Sequence, residues 1–255
     1  MNSIAIASIS FASMFGGALL GVGLRRSLPG DHLSPDSRDV VKLGAGLIAT
    51  LAALVLGLMV SSAKGTFDAV NTGLTQSAAN YSDLNRILHQ YGPETKDARD
   101  QLRHSLDSKI EHIWPKTKVE GEGISAEELS TEMEMVGDTL RQLTPHDESQ
   151  RILKGVALQV YGEGMKLRWS LIQQAQASIP TVFLVVLTFW FTVLFAVFTL
   201  LSPGNMTVLV VMLFCSLSIA GGIVLILDMN RPFEGFVKVS SAPLENALKN
   251  LGQMR

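Results

Sequence analysis

Four long apolar blocks with almost no charged residues are the feature that most constrains how this chain can fold. The blocks cover about residues 4–24, 40–63, 179–201 and 206–227. Each has close to the roughly 20 residues that a helix needs to cross the hydrocarbon core of a bilayer. Charged residues are crowded instead between Lys64 and Arg168. This segregation predicts an integral membrane protein with four membrane-spanning helices and a water-facing domain between the second and third.

The first block is predicted to be a retained membrane span and not a cleaved secretion signal. It is longer than the roughly 7–15 apolar residues of a signal peptide, and no basic residue precedes it. Gly17 and Gly21 lie one turn apart within it. Small residues at this spacing let two helix backbones approach closely inside a membrane. We therefore expect this span to pack tightly against another helix.

No helix-breaking residue follows the second span, and apolar residues continue beyond it at steps of three and four. They are Phe67, Val70, Leu74, Ala78, Tyr81, Leu84, Leu88 and Tyr91. Such spacing marks one stripe of a helix. The pattern predicts that the second span leaves the membrane as one continuous helix and ends at Gly92-Pro93. We expect a neighbouring subunit in a ring to cover this stripe.

Three further helices are predicted in the water-facing domain. The first covers about 94–114, and the second opens at a capping box, Ser125-Ala126-Glu127-Glu128. The third starts at Thr144-Pro145, with the hydroxyl as cap and the proline in the first turn. Its expected buried side consists of Ile152, Val156, Val160, Leu167 and Leu171. No alternation typical of strands is present, so the predicted fold class is all-α.

The chain is predicted to divide into four consecutive parts. A first transmembrane hairpin covers 1–63 and the helical water-facing domain covers 64–177. A second transmembrane hairpin covers 178–228, and a C-terminal tail covers 229–255. The turn at 202–205 is too short for anything except an antiparallel hairpin of the third and fourth spans.

The composition argues against several functional classes. The net charge of −2 at pH 7 gives no basic patch of the kind that binds nucleic acid. The single cysteine, Cys215, lies in an apolar block, so neither a disulfide framework nor a cysteine metal cluster is available. No nucleophile elbow, phosphate loop or intramembrane pair of ionisable residues is present. We therefore predict neither enzymatic activity nor a cofactor.

A metal site and a solvated helix face are alternative interpretations of one polar cluster. Asp100, His104, Asp107 and Glu111 share one side of a predicted helix. Metal-binding histidines on a helix usually lie one turn apart, whereas His104 and His112 are about two turns apart. The spacing favours the solvated face.

Three stretches, taken in this order, resemble a large bacterial family of four-span membrane proteins described as bestrophin-like. They are the second span running into Gly65-Thr66-Phe67-Asp68, the helix end at 84–92, and the 228–235 run after the last span. The Pro232-Phe233 pair is similar to the proline-phenylalanine turn that bestrophins have after their last span. The resemblance covers nearly the whole chain in layout.

The resemblance implies an oligomeric anion channel. Bestrophins have four spans, cytosolic termini and a large helical cytosolic region between the second and third spans. Their second helices line a pore around a central axis.

This sequence departs from bestrophins at two points. Glu234 is not followed by an acidic cluster, so no calcium-binding clasp is implied, and the aromatic-rich second span is absent.

Given that implication, one side of the second helix is the candidate pore lining. It consists of Thr50, Leu54, Gly57 and Ser61, which follow one another at steps of four, three and four. A channel needs no intramembrane charge, because hydroxyls, backbone groups and apolar constrictions can select and gate. Ordinary helix packing is the alternative interpretation for each of these residues.

A second group of residues is predicted to form a structural motif at the membrane boundary. It consists of Lys64, Asp68, Asp228, Arg231, Pro232 and Phe233. If the second and fourth helices are neighbours, Asp68 and Arg231 can form an ion pair. Pro232 ends the fourth helix, and Phe233 can then pack beneath the bundle.

Four spans place both termini and the domain on the same side of the membrane. Basic residues near the spans are almost evenly divided between the two sides, so the positive-inside rule gives no decision. The resemblance favours a cytoplasmic domain, whereas the Arg25-Arg26 cluster favours the reverse.

Together these observations predict a homo-oligomeric, bestrophin-like ion channel in the lipid bilayer of a bacterial inner membrane. It would pass small inorganic ions, in particular anions, without a cofactor. The alternative is a non-conducting scaffold or sensor that is anchored in the membrane and binds a partner through its helical domain.

Overall fold

A computed structural model of the protein describes residues 3–27, 34–115, 126–176, 180–202, 205–233 and 235–253. Within these residues the chain forms α-helices and no β-strand, which confirms the all-α prediction. The helices are α1 (Ser3–Ser27), α2 (Pro35–Tyr91), α3 (Lys96–Ile113), α4 (Ala126–Gln142), α5 (Glu148–Gln176), α6 (Thr181–Leu201), α7 (Met206–Met229) and α8 (Ala242–Gln253). A 3₁₀ helix, Pro93–Thr95, links α2 to α3.

Four of these helices, α1, α2, α6 and α7, are long and apolar enough to cross a membrane. They coincide with the four apolar blocks, so the chain is an integral membrane protein with the predicted spans. The predicted start of the third span, Ile179, and the first residue of the predicted capping box, Ser125, lie outside the described residues.

The second span and the first part of the domain form one helix, as predicted. α2 is 57 residues long and has no interruption. It ends where Gly92 adopts a φ of 135°, a conformation that side chains disfavour, and where Pro93 offers no backbone N–H. The Thr95 hydroxyl then donates to the Leu88 carbonyl at 2.6 Å and closes the end of the helix.

The chain consists of two units with separate cores. One comprises Met1–Phe67 and Ala177–Lys238, and the other comprises Asp68–Gln176 and Val239–Arg255. The first contains the membrane-spanning segments and the second contains the helical domain. The division into four consecutive parts stays a prediction.

The glycine pair in α1 allows this helix to approach α6 at backbone distance, as the sequence indicates. A Cβ atom at Gly17 would lie 2.6 Å from the Thr192 carbonyl oxygen, and one at Gly21 would overlap the Ala196 carbonyl oxygen. Only glycine leaves room for these contacts. The close approach replaces the hydrophobic driving force that is missing between helices in lipid.

Two polar contacts fix the register of α1 against α6. The Thr199 hydroxyl donates to the Ala18 carbonyl at 2.8 Å and is fully buried. The hydroxyls of Ser10 and Thr188 share a hydrogen bond of 3.1 Å. Hydrogen bonds between membrane helices are worth about 0.6 kcal/mol each on average, so they orient the pair more than they stabilise it.

The glycine contact generates a matched prediction. Gly17→Ala is expected to lower the melting temperature of the detergent-solubilised protein, because overpacking costs about 1–3 kcal/mol. Gly16→Ala, one residue away on an open side with no atom within 4 Å, is expected to leave it unchanged or raise it. Equal effects of the two variants on the melting temperature would contradict the close approach.

The apolar stripe of α2 beyond the membrane is buried within its own subunit. The members buried in the domain are Val70, Leu74, Ala78, Tyr81, Leu84, Leu88 and Tyr91. Contacts to this part of α2 come from three helices of the domain, through Leu171 of α5 against Gly73, Met133 of α4 against Tyr81, and Arg99 of α3, which donates to Asn85. The expectation that a neighbouring subunit covers the stripe is therefore wrong, because the domain itself supplies the cover.

The predicted buried side of α5 is wrong in its first half. Ile152 and Val156 are exposed, whereas Ala157 and Tyr161 are buried. The Tyr161 ring fills the space beside Gly137 of α4, where a Cβ atom would lie 2.5 Å from the ring. Because of this contact, the residues on the buried side of α5 lie about one position later in the sequence than the aliphatic residues that were expected there.

The predicted start of α5 is also wrong. The helix begins at Glu148, and Asp147, not Thr144, is its cap. The Asp147 carboxylate accepts the Gln150 N–H at 2.7 Å. A carboxylate is as good an N-cap as a hydroxyl. Its negative charge also interacts favourably with the positive end of the helix dipole.

Candidate pore-lining face and the membrane-boundary turn

The predicted pore-lining residues lie together on the exposed side of α2. Thr50, Leu54, Gly57 and Ser61 are all exposed. The buried side of the same segment consists of Ala45, Ala52, Met59 and Ala63. At about 100° per residue, the centres of the two sets lie about 165° apart around the helix. The candidate face therefore points away from the core of its own subunit, and its role in a pore stays a prediction.

The opposite side of α2 packs into the apolar core of the membrane unit. Ala52, Met59 and Ala63 contact α6 and α7 in a cluster that includes Leu187 and Ile223. Small alanines on this side let α2 lie close to its neighbours. The core thus fixes how α2 is rotated, and the rotation decides which residues are exposed.

The candidate face is free of charge and mixes three kinds of group. The Thr50 hydroxyl donates to the Gly46 carbonyl at 2.9 Å and so lies along the helix backbone. Leu54 is 62% exposed, and no atom lies within 4 Å of the position a Cβ would take at Gly57. No charged residue occurs between Lys42 and Lys64. The face can present hydroxyl, apolar and backbone groups to whatever covers it.

The residues after the fourth span fold back onto the Asp228 carboxylate. Asp228 is 3% exposed, and its Oδ2 accepts the Phe236 N–H at 2.8 Å. Its backbone carbonyl accepts the Arg231 N–H at 3.0 Å. Gly235 has a φ of 82°, and a Cβ there would lie 2.6 Å from the carboxylate. Asp228 thus anchors the turn that follows α7.

The remaining residues of the boundary motif differ in how far they are buried. Pro232 is buried and Phe233 is half-buried, whereas Lys64, Asp68 and Arg231 are exposed. The ion pair between Asp68 and Arg231 stays a prediction. Glu234 lies outside the described residues.

Asp228 belongs to the predicted boundary motif, but its role as an acceptor for the following loop is not predicted from the sequence. Gly235 was the available signal, because a glycine shortly after Pro232 often marks a turn that needs a positive φ. The residue that the carboxylate binds could not be read from spacing, since the contact is made to a backbone N–H.

Substitution of Asp228 is expected to destabilise the membrane unit. Asp228→Ala leaves the Phe236 N–H without its acceptor, and a typical intramolecular hydrogen bond contributes about 0.5–1.5 kcal/mol. Asp228→Asn keeps an oxygen acceptor and is expected to lose less. Melting temperatures in detergent would check this order, and Asp228→Ala melting at the wild-type temperature would refute the anchoring role.

The polar cluster on α3 does not assemble a metal site in the part of the chain that the structure describes. His104 Nε2 lies 3.8 Å from Glu132 Oε1 of α4, and the histidine is largely exposed. Within the described residues, no group of three or more histidine, cysteine or acidic side chains is close enough to hold an ion.

The fold and the exposed face of α2 define a class, namely four-span helical membrane proteins with a helical domain in the second connection. Solved structures of this class are similar to the chain. An aspartate-to-alanine variant of a bacterial bestrophin homolog from Klebsiella pneumoniae is 14% identical, with a TM-score of 0.69 over 96% of this chain and 98% of that one. A glycine-to-alanine variant of a crystallised membrane protein is 15% identical, with a TM-score of 0.71 over 96% and 97%.

A family profile gives the assignment at the level of sequence. The profile of the bestrophin-like domain matches residues 12–244. The chain belongs to the bestrophin-like family, which confirms the resemblance seen in the sequence. A sequence comparison with curated proteins gives no match.

Proposed function

We propose that the protein is a passive ion channel for small anions, with a pore along the α2 helices of a homo-oligomer. The observation that carries the proposal is the exposed, uncharged face of α2 opposite its buried side. In lipid, an exposed helix face is normally covered by large apolar side chains. Beside Leu54, this face also carries the hydroxyls of Thr50 and Ser61 and the bare backbone at Gly57.

The chemistry of the face fits passive conduction. Ion-coupled transporters place ionisable residues within the membrane, and the central part of α2 has none. Hydroxyl and backbone groups can replace part of the water around an ion, and an apolar side chain can gate a pore by excluding water. Leu54, which lies between Thr50 and Gly57 on the face, is the proposed constriction.

A ring of subunits is required, because one face of one helix cannot enclose a pore. Rings of identical subunits arise from repeated head-to-tail contacts around an axis. Three glycines of α2 outside the candidate face, at positions 44, 46 and 65, have no atom within 4 Å of the position a Cβ would take. Small residues left uncovered in this way allow helices of neighbouring subunits to approach closely.

The preference for anions and the orientation rest on the family. The face carries no charge of either sign, so the resemblance to bestrophins supports anions. The same resemblance supports a bacterial inner membrane with the helical domain and both termini in the cytoplasm.

Ion flux from liposomes would test the proposal. The purified protein is expected to release chloride down its gradient, and Leu54→Ala is expected to raise the rate several-fold because it removes the apolar constriction. Leu20→Ala is the matched control, since Leu20 of α1 has a similar exposure, 65% against 62%. The control is expected to conduct like the wild type.

Flux measured with separate chloride and potassium gradients would decide which ion the protein conducts. Potassium flux without chloride flux would refute the anion preference but keep the pore. No flux from a folded, oligomeric preparation would refute the channel and favour a membrane-anchored scaffold or sensor. In that case Leu54→Ala would also be without effect.

A further inference from the structure

The helical domain encloses a small cavity that is lined by two cationic side chains. The cavity volume is about 20 Å³, which is ample for a water-sized occupant. Its polar lining comprises Ser77, Asn80 and Tyr81 from α2, Lys109 from α3, and Tyr161 and Arg168 from α5. Among the described residues that line it, none is acidic. The described lining therefore carries two positive side chains and no negative one, and the cavity has room for a small ion or molecule.

Lys109 is oriented into this cavity by α2. Its Nζ donates to the Ser77 hydroxyl at 3.0 Å and lies 5.5 Å from the centre of the Tyr81 ring. An ammonium group has three N–H donors, so this arrangement leaves donors for an occupant of the cavity.

The surroundings of Lys109 make its positive charge costly. Burial, and after it the positive charge of Arg168, lowers the pKa of Lys109 to about 8. A buried charge is stable only if it is paired or well hydrogen-bonded. An anion beside Nζ would relieve both effects, because it would replace lost hydration and offset the charge of Arg168.

We propose that this cavity binds one halide-sized anion, chloride under ordinary conditions, between Lys109 and Arg168. Chloride is only slightly larger than a water molecule and fits the available space. The Ser77 hydroxyl, which accepts from Lys109, is a further donor within the lining. The site contains no residue of the candidate pore face, so it stands whether or not the protein conducts.

Anion binding is expected to weaken as the pH rises, because only protonated Lys109 carries the charge. The other titratable or charged groups around it are Tyr81 of α2, Tyr161 and Arg168 of α5, and Glu132 of α4, which acts on Tyr81. Burial raises the pKa of both tyrosines, which therefore stay neutral to pH 9. With a pKa of about 8, protonated Lys109 falls about tenfold between pH 7 and pH 9, and the apparent affinity falls with it.

The test uses the full-length protein in detergent, with tryptophan fluorescence reporting the melting temperature. Chloride is exchanged for gluconate at constant ionic strength and pH 7. We expect chloride and bromide to raise the melting temperature of the wild type in a saturable way. Lys109→Met, which keeps the apolar stem of the side chain, is expected to abolish this dependence. Lys166→Met removes an exposed lysine of α5 and is expected to retain it.

Two further measurements keep the proposal open to refutation if Lys109→Met does not fold. The halide concentration that gives half the effect on the wild type should rise about tenfold from pH 7 to pH 9. In crystals soaked with bromide, an anomalous peak is expected within hydrogen-bonding reach of Lys109 Nζ. Water alone in the cavity, or a halide effect that persists in folded Lys109→Met, would overturn the site.

The proposal of the halide site and the proposal of the pore can be refuted independently of each other. Leu54→Ala is expected to keep the halide-dependent melting temperature even though its flux changes. Conversely, Lys109→Met that still releases chloride from liposomes would separate the domain site from conduction.

Discussion

The structure depends on one constraint, which is that α2 has to remain a single helix while its surroundings change. In hydrocarbon every backbone N–H and C=O needs a partner within its own segment, so the helix cannot break inside the membrane. No break occurs beyond it either, and α2 continues without interruption from Pro35 to Tyr91. The first part of α2 belongs to the membrane unit, and the part from Asp68 onward belongs to the helical domain.

The two parts of α2 meet the other helices by different physical means. In the membrane unit, apolar association gains nothing from water, so alanines on α2 and glycines on α1 allow helices to come close. In the helical domain, water drives burial of the broad stripe from Val70 to Tyr91. The narrow contact in the membrane leaves most of α2 uncovered there, and this uncovered side holds the candidate pore face. The broad contact in the domain buries the stripe within its own subunit.

Polar groups are few inside both units, and each has a specific position. The Thr199 hydroxyl and the Asp228 carboxylate in the membrane unit bind backbone groups, and they set register and turn geometry. Lys109 in the domain differs, because its charge is buried beside that of Arg168. That arrangement lowers the pKa of Lys109 and is the physical basis for the proposed halide site.

The sequence by itself determined the four spans, the continuity of α2, the close approach at Gly17 and Gly21, and the family. Charge segregation, unbroken periodicity and small-residue spacing are local properties, so they are readable without a structure. Only the tertiary structure decided the side of α5 that is buried, the cap at Asp147 and the partner of Asp228. It also decided that Lys109 and Arg168, which are far apart in the chain, share one cavity. These features depend on contacts between helices that are distant in sequence, and neither propensity nor spacing specifies such contacts.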